Sequence, residues 1–180
     1  MAAHKTRIMG PFQRLVSACA LLLAPLAADF PTAAFAAPAD KPFRDGLSAY
    51  NSGAFQKAMT IWLPLAQSGD AASQAGIGFM YHRGLGIAVD NEKAAYWLRQ
   101  AAEHGQPEGQ LMLGSLYFYG AGVEKNYIQA YAWCDLAQDG GNADAQACRD
   151  AALQSLLSKD DVKAAFRLSL DFHQRFRPAR

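Results

Sequence analysis

Gly78-Phe79-Met80-Tyr81-His82-Arg83-Gly84-Leu85-Gly86 returns 36 residues later as Gly114-Ser115-Leu116-Tyr117-Phe118-Tyr119-Gly120-Ala121-Gly122. Outward from this pair, residues 70–105 align with residues 106–141 without a gap, and nine positions are identical. Gln74/Gln110, Ala94/Ala130, Trp97/Trp133 and Ala101/Ala137 are among them. Self-similarity at a fixed period of this length marks a stacked array in which each unit buries its apolar face against its neighbours. Upstream, Phe55, Lys57, Ala58, Ala66 and Gly69 hold the places of Asn91, Lys93, Ala94, Ala102 and Gly105, so half a unit precedes the first complete one. Downstream, Gln146 takes the place of Gln74 and Gln110, but Asp150 replaces Gly78 and Gly114 and no Gly-x-Gly follows. The array is therefore expected to end in a cap.

Within each unit the apolar residues recur at three and four positions, as in Ala94, Trp97, Leu98 and Ala101, which is the helical period. A first helix is predicted over 71–83 and 107–119, with Pro107 tolerated in the opening turn. Gly84 and Gly120 stop it. A second helix opens at Asp90 or Asn126, both good N-caps, and ends at Gly105 or Gly141. Glycine inside a helix costs about 1 kcal/mol relative to alanine. Gly78 and Gly114 are therefore expected where the paired helix comes close, at Ala94 and Ala130. Trp97 and Trp133 are expected to wedge between successive units.

These residues resemble the Sel-one-like repeats, relatives of the tetratricopeptide repeats with a longer loop between their helices. Ala71, Ile77, Gly78, Tyr81, Gly84, Gly86, Asp90, Ala94, Trp97, Ala101, Ala102 and Gly105 meet the family's pattern. The second copy meets it at Leu113, Gly114, Tyr117, Gly120, Gly122, Val123, Ala130, Trp133 and Ala137, and departs from it at Pro107, Asn126 and Gln138. The resemblance implies an all-α fold, a right-handed α-solenoid of antiparallel helix pairs. Residues 43–69 read as an N-terminal helical hairpin in which Pro64 is expected to introduce a kink. Residues 70–105 and 106–141 are the two repeats, and 142–180 hold capping helices and a frayed tail. Ser158 and Asp161 form a capping-box variant that opens a last helix from Lys159 to about Phe176. Val162, Phe166, Leu170 and Phe176 are expected to cover the open end of the stack.

The first 36 residues have the form of a secretory signal peptide: His4, Lys5, Arg7 and Arg14, then an apolar run over 15–28, then small residues to Ala37. Interrupted by Pro25 and ended by Asp29, that run is shorter than the roughly 20 residues needed to span a bilayer. Cleavage is expected after Ala36, with Ala28 as the alternative, followed by a short linker over 37–42. Cys19 sits too early in the run for a lipoprotein acylation box. A periplasmic or secreted location follows as the expectation, with no integral membrane span after cleavage. The full chain carries 17 basic and 16 acidic residues. Cleavage would remove Lys5, Arg7, Arg14 and Asp29 and leave a nearly neutral protein without the basic footprint of a nucleic-acid or anionic-membrane binder.

A search for chemistry turns up structural readings. Gly84-x-Gly86 follows a helix, whereas a phosphate loop follows a strand. His82, His104 and His173 are too widely spaced to be metal ligands on one helix face. Ser115 and Ser169 lack a nucleophile elbow. Asp160 and Asp161 read as helix-capping acids. No cofactor, metal or catalytic residue is expected. Cys134 and Cys148 lie on consecutive helices, equally far from the turn at Gly141, which makes a bridge feasible in an oxidising compartment. Cys148, however, shares its helical phase with Gly76 and Met112, assigned here to an open groove, and that phase favours two buried free thiols.

First helices line the concave side of such stacks, so function is sought there. Positions 72, 76, 79 and 83, with 108, 112, 115 and 119, form a stripe that differs between the copies while the packing positions agree. Phe79, Arg83, Glu108, Met112 and Tyr119 are the candidate partner contacts, with packing as the alternative role of Phe79 and Tyr119. The resemblance implies an exported, non-enzymatic adaptor that binds other proteins. A cell-wall or β-lactam hydrolase and a structural subunit of an envelope complex are the rival readings.

Overall fold

The computed structural model describes residues 41–176, and every regular element within them is an α-helix. The signal peptide with its cleavage site, Cys19 and the tail at 177–180 lie outside the described residues. Helices α1 (Lys41–Asn51) and α2 (Phe55–Gln67) form the leading hairpin. The two repeats are α3 (Ala71–Arg83) with α4 (Asn91–Glu103), and α5 (Pro107–Tyr119) with α6 (Tyr127–Asp139). Two further helices follow, α7 (Ala145–Gln154) and α8 (Lys159–Phe176). Each helix from α1 to α6 packs on the next, and the first helix α5 also touches the first helices on either side of it, α3 and α7, which is the arrangement of a repeat solenoid.

Local chemistry sets the boundaries. The side chains of Asp70, Asp90 and Asn126 accept from the backbone N–H groups of Ser73, Lys93 and Gln129 at 2.7, 2.9 and 3.0 Å. Gly84 and Gly120 close α3 and α5 in the left-handed conformation. Pro64 lies inside α2, which runs on to Gln67. Gly86 and Gly122 hold positive φ of 70° and 68°, and both lie against the start of the preceding second helix. A Cβ on Gly86 would sit 2.7 Å from that of Phe55, and one on Gly122 would run into the Asn91 carbonyl. Since Phe55 and Asn91 are equivalent, the same loop-to-helix contact joins each unit to the one before it.

A second contact repeats through the core. Trp62, Leu98 and Cys134 occupy equivalent positions and are wholly buried. Each faces a glycine of its own first helix: the Trp62 indole covers Gly46, Leu98 Cγ lies 2.6 Å from where a Gly78 Cβ would be, and Cys134 Sγ lies against Gly114. Each is also met from the next first helix. Gly76 lies under the Trp62 ring, Met112 packs on the cluster that holds Leu98, and Cys148 is bonded to Cys134 with the Cα atoms 5.9 Å apart. The expectation of free thiols is therefore corrected. Its error lay in the phase: 76, 112 and 148 face the preceding second helix, not an open groove. From Ser73 to Met80 every residue of α3 is buried, and a helix buried all round has no polar face from which its orientation can be read.

Buried amides make a third connection. Gln74 Nε2 donates to Ala66 O at 3.0 Å and Gln110 Nε2 to Ala102 O at 3.1 Å, satisfying carbonyls in the last turn of the preceding helix. Gln146 does not continue the series: α7 starts at Ala145, so Gln146 falls in its opening turn and is exposed.

Here the stack changes course. Asp150 takes the glycine position and pairs with Arg149 at 2.8 Å, and α8 packs chiefly against α6 instead of pairing with α7. The capping variant forms, the Asp161 N–H donating to Ser158 Oγ at 3.0 Å. The inward face, however, is Ala165, Ser169 and Phe172, with Phe172 4.2 Å and Phe176 5.4 Å from the Trp133 ring. Phe166 and Leu170 are 50% and 61% exposed, so the expectation that they cover the end of the stack is corrected. Both stripes of α8 carry apolar residues at helical spacing, and the aromatic surface of Trp133 selected the other one.

Two outcomes test this packing. Helix propensity alone would make Gly78→Ala stabilising by about 1 kcal/mol. The closeness of Leu98 and the Ala94 carbonyl reverses the sign, and a net loss of about 1–3 kcal/mol is expected in urea unfolding. Replacing Cys134 and Cys148 with serine opens a bridge spanning 14 residues and is expected to lower stability by about 3 kcal/mol. Denaturation midpoints that match for the variant and the unreduced protein would contradict the bridge.

Candidate functional site

The stripe proposed from the sequence divides into an inner and an outer part. Phe79 is buried, its ring edge-on to Tyr50 with centroids 6.3 Å apart. Arg83 is half-buried and lies over Phe79, guanidinium carbon to ring centroid 5.7 Å, so the inner residue is a platform for the outer one. Met112 is half-buried between the two largest clusters of the core. Half-buried Tyr119 packs on the cluster containing Leu111 and the disulfide, and its ring meets Phe118 edge-on. Ser115, equivalent to Phe79, is buried and donates to Leu111 O at 3.0 Å.

Glu108 is buried near the start of α5. Its carboxylate accepts from Gln106 Nε2 at 2.7 Å and from Asn142 Nδ2 at 3.4 Å. Burial holds the carboxyl above the ordinary glutamate range, although the Asn142 amide pulls the other way. Asn142 comes from the turn before α7, so this acid ties α5 to the end of the array. Two histidines serve similar ends. His82 Nδ1 lies 2.8 Å from Asn91 Oδ1 and joins the two helices of the first repeat, with burial lowering its proton affinity. His104 Nδ1 lies 3.0 Å from Gln74 Oε1.

A polar cluster not anticipated from the sequence lies where α8 meets α6. Ser169 Oγ donates to Asp135 Oδ2 at 2.5 Å, and His173 Nε2 lies 3.8 Å from Asp139 Oδ2. Arg149 of α7 approaches Asp135 at 3.7 Å. Serine, histidine and aspartate together invite comparison with a nucleophilic triad, but the bonds run the wrong way. The serine proton is committed to a carboxylate, and His173 Nδ1 is 2.8 Å from Ser169 O, which can only accept, so this nitrogen carries a proton and is no base toward Ser169. The cluster fastens α8 in place. Its sequence signal was the matched four-residue spacing of Asp135/Asp139 and Ser169/His173.

Comparison with known proteins places these features in a wider set. The model of the Sel1 repeat matches residues 71–106 and 107–142. Among solved structures, a protective antigen present in uropathogenic Escherichia coli strains and displaying an SLR fold aligns with TM-score 0.72 and 28% identity. That alignment covers 76% of this chain and 30% of that one. A Sel1 repeat protein from Oxalobacter formigenes aligns with TM-score 0.59 and 26% identity over 72% of this chain and 55% of that one. This chain thus spans less than two thirds of the length of either. No match was found among curated proteins.

Because Glu108 holds its proton more tightly when folded, its contribution to stability is greatest in acid and is lost as pH rises from the ordinary value of 4.5 through the raised one. Glu108→Gln is expected to be at least as stable as the parent at pH 7, with its advantage shrinking toward pH 4. Urea titrations at both pH values measure this, and an advantage that grows in acid would contradict the assignment.

Proposed function

From the premise that this chain carries two Sel1 repeats and folds as a Sel1-type helical solenoid, we propose that it is an exported adaptor that holds a segment of another protein along its first helices. Proteins of this repeat class are generally scaffolds for protein–protein interaction. The observation that carries the proposal is the contrast between the two copies. The buried glycines, glutamines and Ala94/Ala130 agree, whereas the half-buried outer position at the end of the first helix bears Arg83 in one copy and Tyr119 in the other.

In this reading Arg83, pre-positioned over Phe79, supplies a cation and a flat donor fork to a carboxylate or carbonyl of the partner. Tyr119 supplies flat apolar area from its half-buried ring, its hydroxyl being buried, whereas Met112, turned to the preceding second helix, serves packing. Phe79 and Glu108 act from beneath, one as the platform and the other by holding the turn at Asn142. The reading includes no chemical step. Export rests on the leader-like first 36 residues and is proposed with it. Among the described residues no helix is long and apolar enough to cross a membrane.

Arg83→Ala and Tyr119→Ala, alone and together, are expected to reduce recovery of the crosslinked partner from the native envelope by about tenfold for the pair, a loss of about 1.4 kcal/mol. Thermal unfolding of the variants should stay close to that of the parent. Crosslinking that yields no specific partner with the intact protein, or the same yield with the double variant, would remove the proposal.

A further inference from the structure

Caps of helical stacks are expected to turn a polar face to water. The outward stripe of α8 does not. Phe166 and Leu170 are 50% and 61% exposed and lie one turn apart, and the Phe166 ring rests edge-on against Tyr131, 5.3 Å between centroids. Lys163 and Arg167 are exposed on the same stripe. Lys163 reaches Asp160 at 3.2 Å, a pair that stands almost entirely in solvent and is worth little.

We propose that this stripe docks an amphipathic helix of a partner protein whose apolar residues are bordered by Asp or Glu. A helix is specified by the surface itself: side chains four residues apart form the kind of ridge that a facing helix accepts, and the opposite face of α8 already packs on a helix, α6. An acidic border is specified by charge, since Lys163 and Arg167 run along one side of the apolar pair. A second copy of this chain is disfavoured by charge: two-fold pairing would bring Lys163 and Arg167 toward their own counterparts. The stripe is separate from Arg83 and Tyr119, so this inference and the proposed function fail independently. Together they describe a bridge, one partner along the first helices and another at the end of the stack.

The test uses the full chain and a phage-displayed library of helical peptides randomised at the outward positions of one fixed helix. Selected helices are expected to carry Leu, Ile or Phe at three- and four-residue spacing next to Asp or Glu. Phe166→Ser with Leu170→Ser should weaken the selected peptides by about tenfold or more. Lys163→Glu with Arg167→Glu, which leaves the apolar pair intact, should shift selection to helices bordered by Lys or Arg. Circular dichroism confirms that both variants remain helical. Four results overturn the proposal: selected helices without acidic enrichment, binding indifferent to both variants, a concentration-dependent dimer that Phe166→Ser with Leu170→Ser abolishes, or binding to phosphatidylglycerol vesicles through this stripe with no helix selected.

Discussion

Everything in this molecule is spaced by one recurring contact: a buried side chain on each second helix, held between a glycine of its own first helix and the residue 14 positions ahead on the next first helix. Its occupants differ from unit to unit. Trp62 is faced by Gly76, Met112 packs on the cluster that holds Leu98, and Cys134 is bonded to Cys148. A large residue meets a glycine, a middle-sized one shares its cluster with a flexible thioether, and two small ones become a covalent bond. Close packing requires each slot to be filled, so what repeats is the burial of the position and not the identity of its occupants.

Once that slot is fixed, the other connections follow as reinforcement. Gly86 and Gly122 bring a loop onto the opening turn of the preceding second helix, and Gln74 and Gln110 satisfy carbonyls at its far end. The stack ends where those devices lapse together. Asp150 stands in place of the glycine and Gln146 points to water, so α8 has no hairpin partner of the usual kind and lies on α6. Trp133 supplies the apolar part of that seat, and Asp135 with Asp139 the polar part.

Such thorough burial of the first helices shapes the functional reading. Little side-chain surface is left on them, and the residues that remain accessible are backed by buried neighbours, as Arg83 is by Phe79. A small set of pre-positioned contacts on a rigid stack suits recognition, where affinity is gained by ordering few groups on binding. The polar cluster at α8 joins catalytic residue types in bonds that hold a helix, a reminder that composition of a cluster is decided by proton positions before it is decided by residue names.

The 36-residue identity, the paired helices, their caps and their glycine stops were set by the sequence alone, because turn chemistry and helical period act over a few residues and leave local marks. The ends of α3, α5 and α8 fell where those marks stood. Orientation about each helix axis was decided only by tertiary packing. In α3 and α5, buried on all sides, apolar residues surround the axis, so nothing in the pattern said that 76, 112 and 148 turn toward the preceding helix, and the disulfide was misjudged with them. In α8 two apolar stripes competed, and the flat surface of Trp133 on another helix chose between them. A local pattern records how hydrophobic each residue is, but the direction it faces depends on what stands opposite, and that is a property of residues distant in the chain.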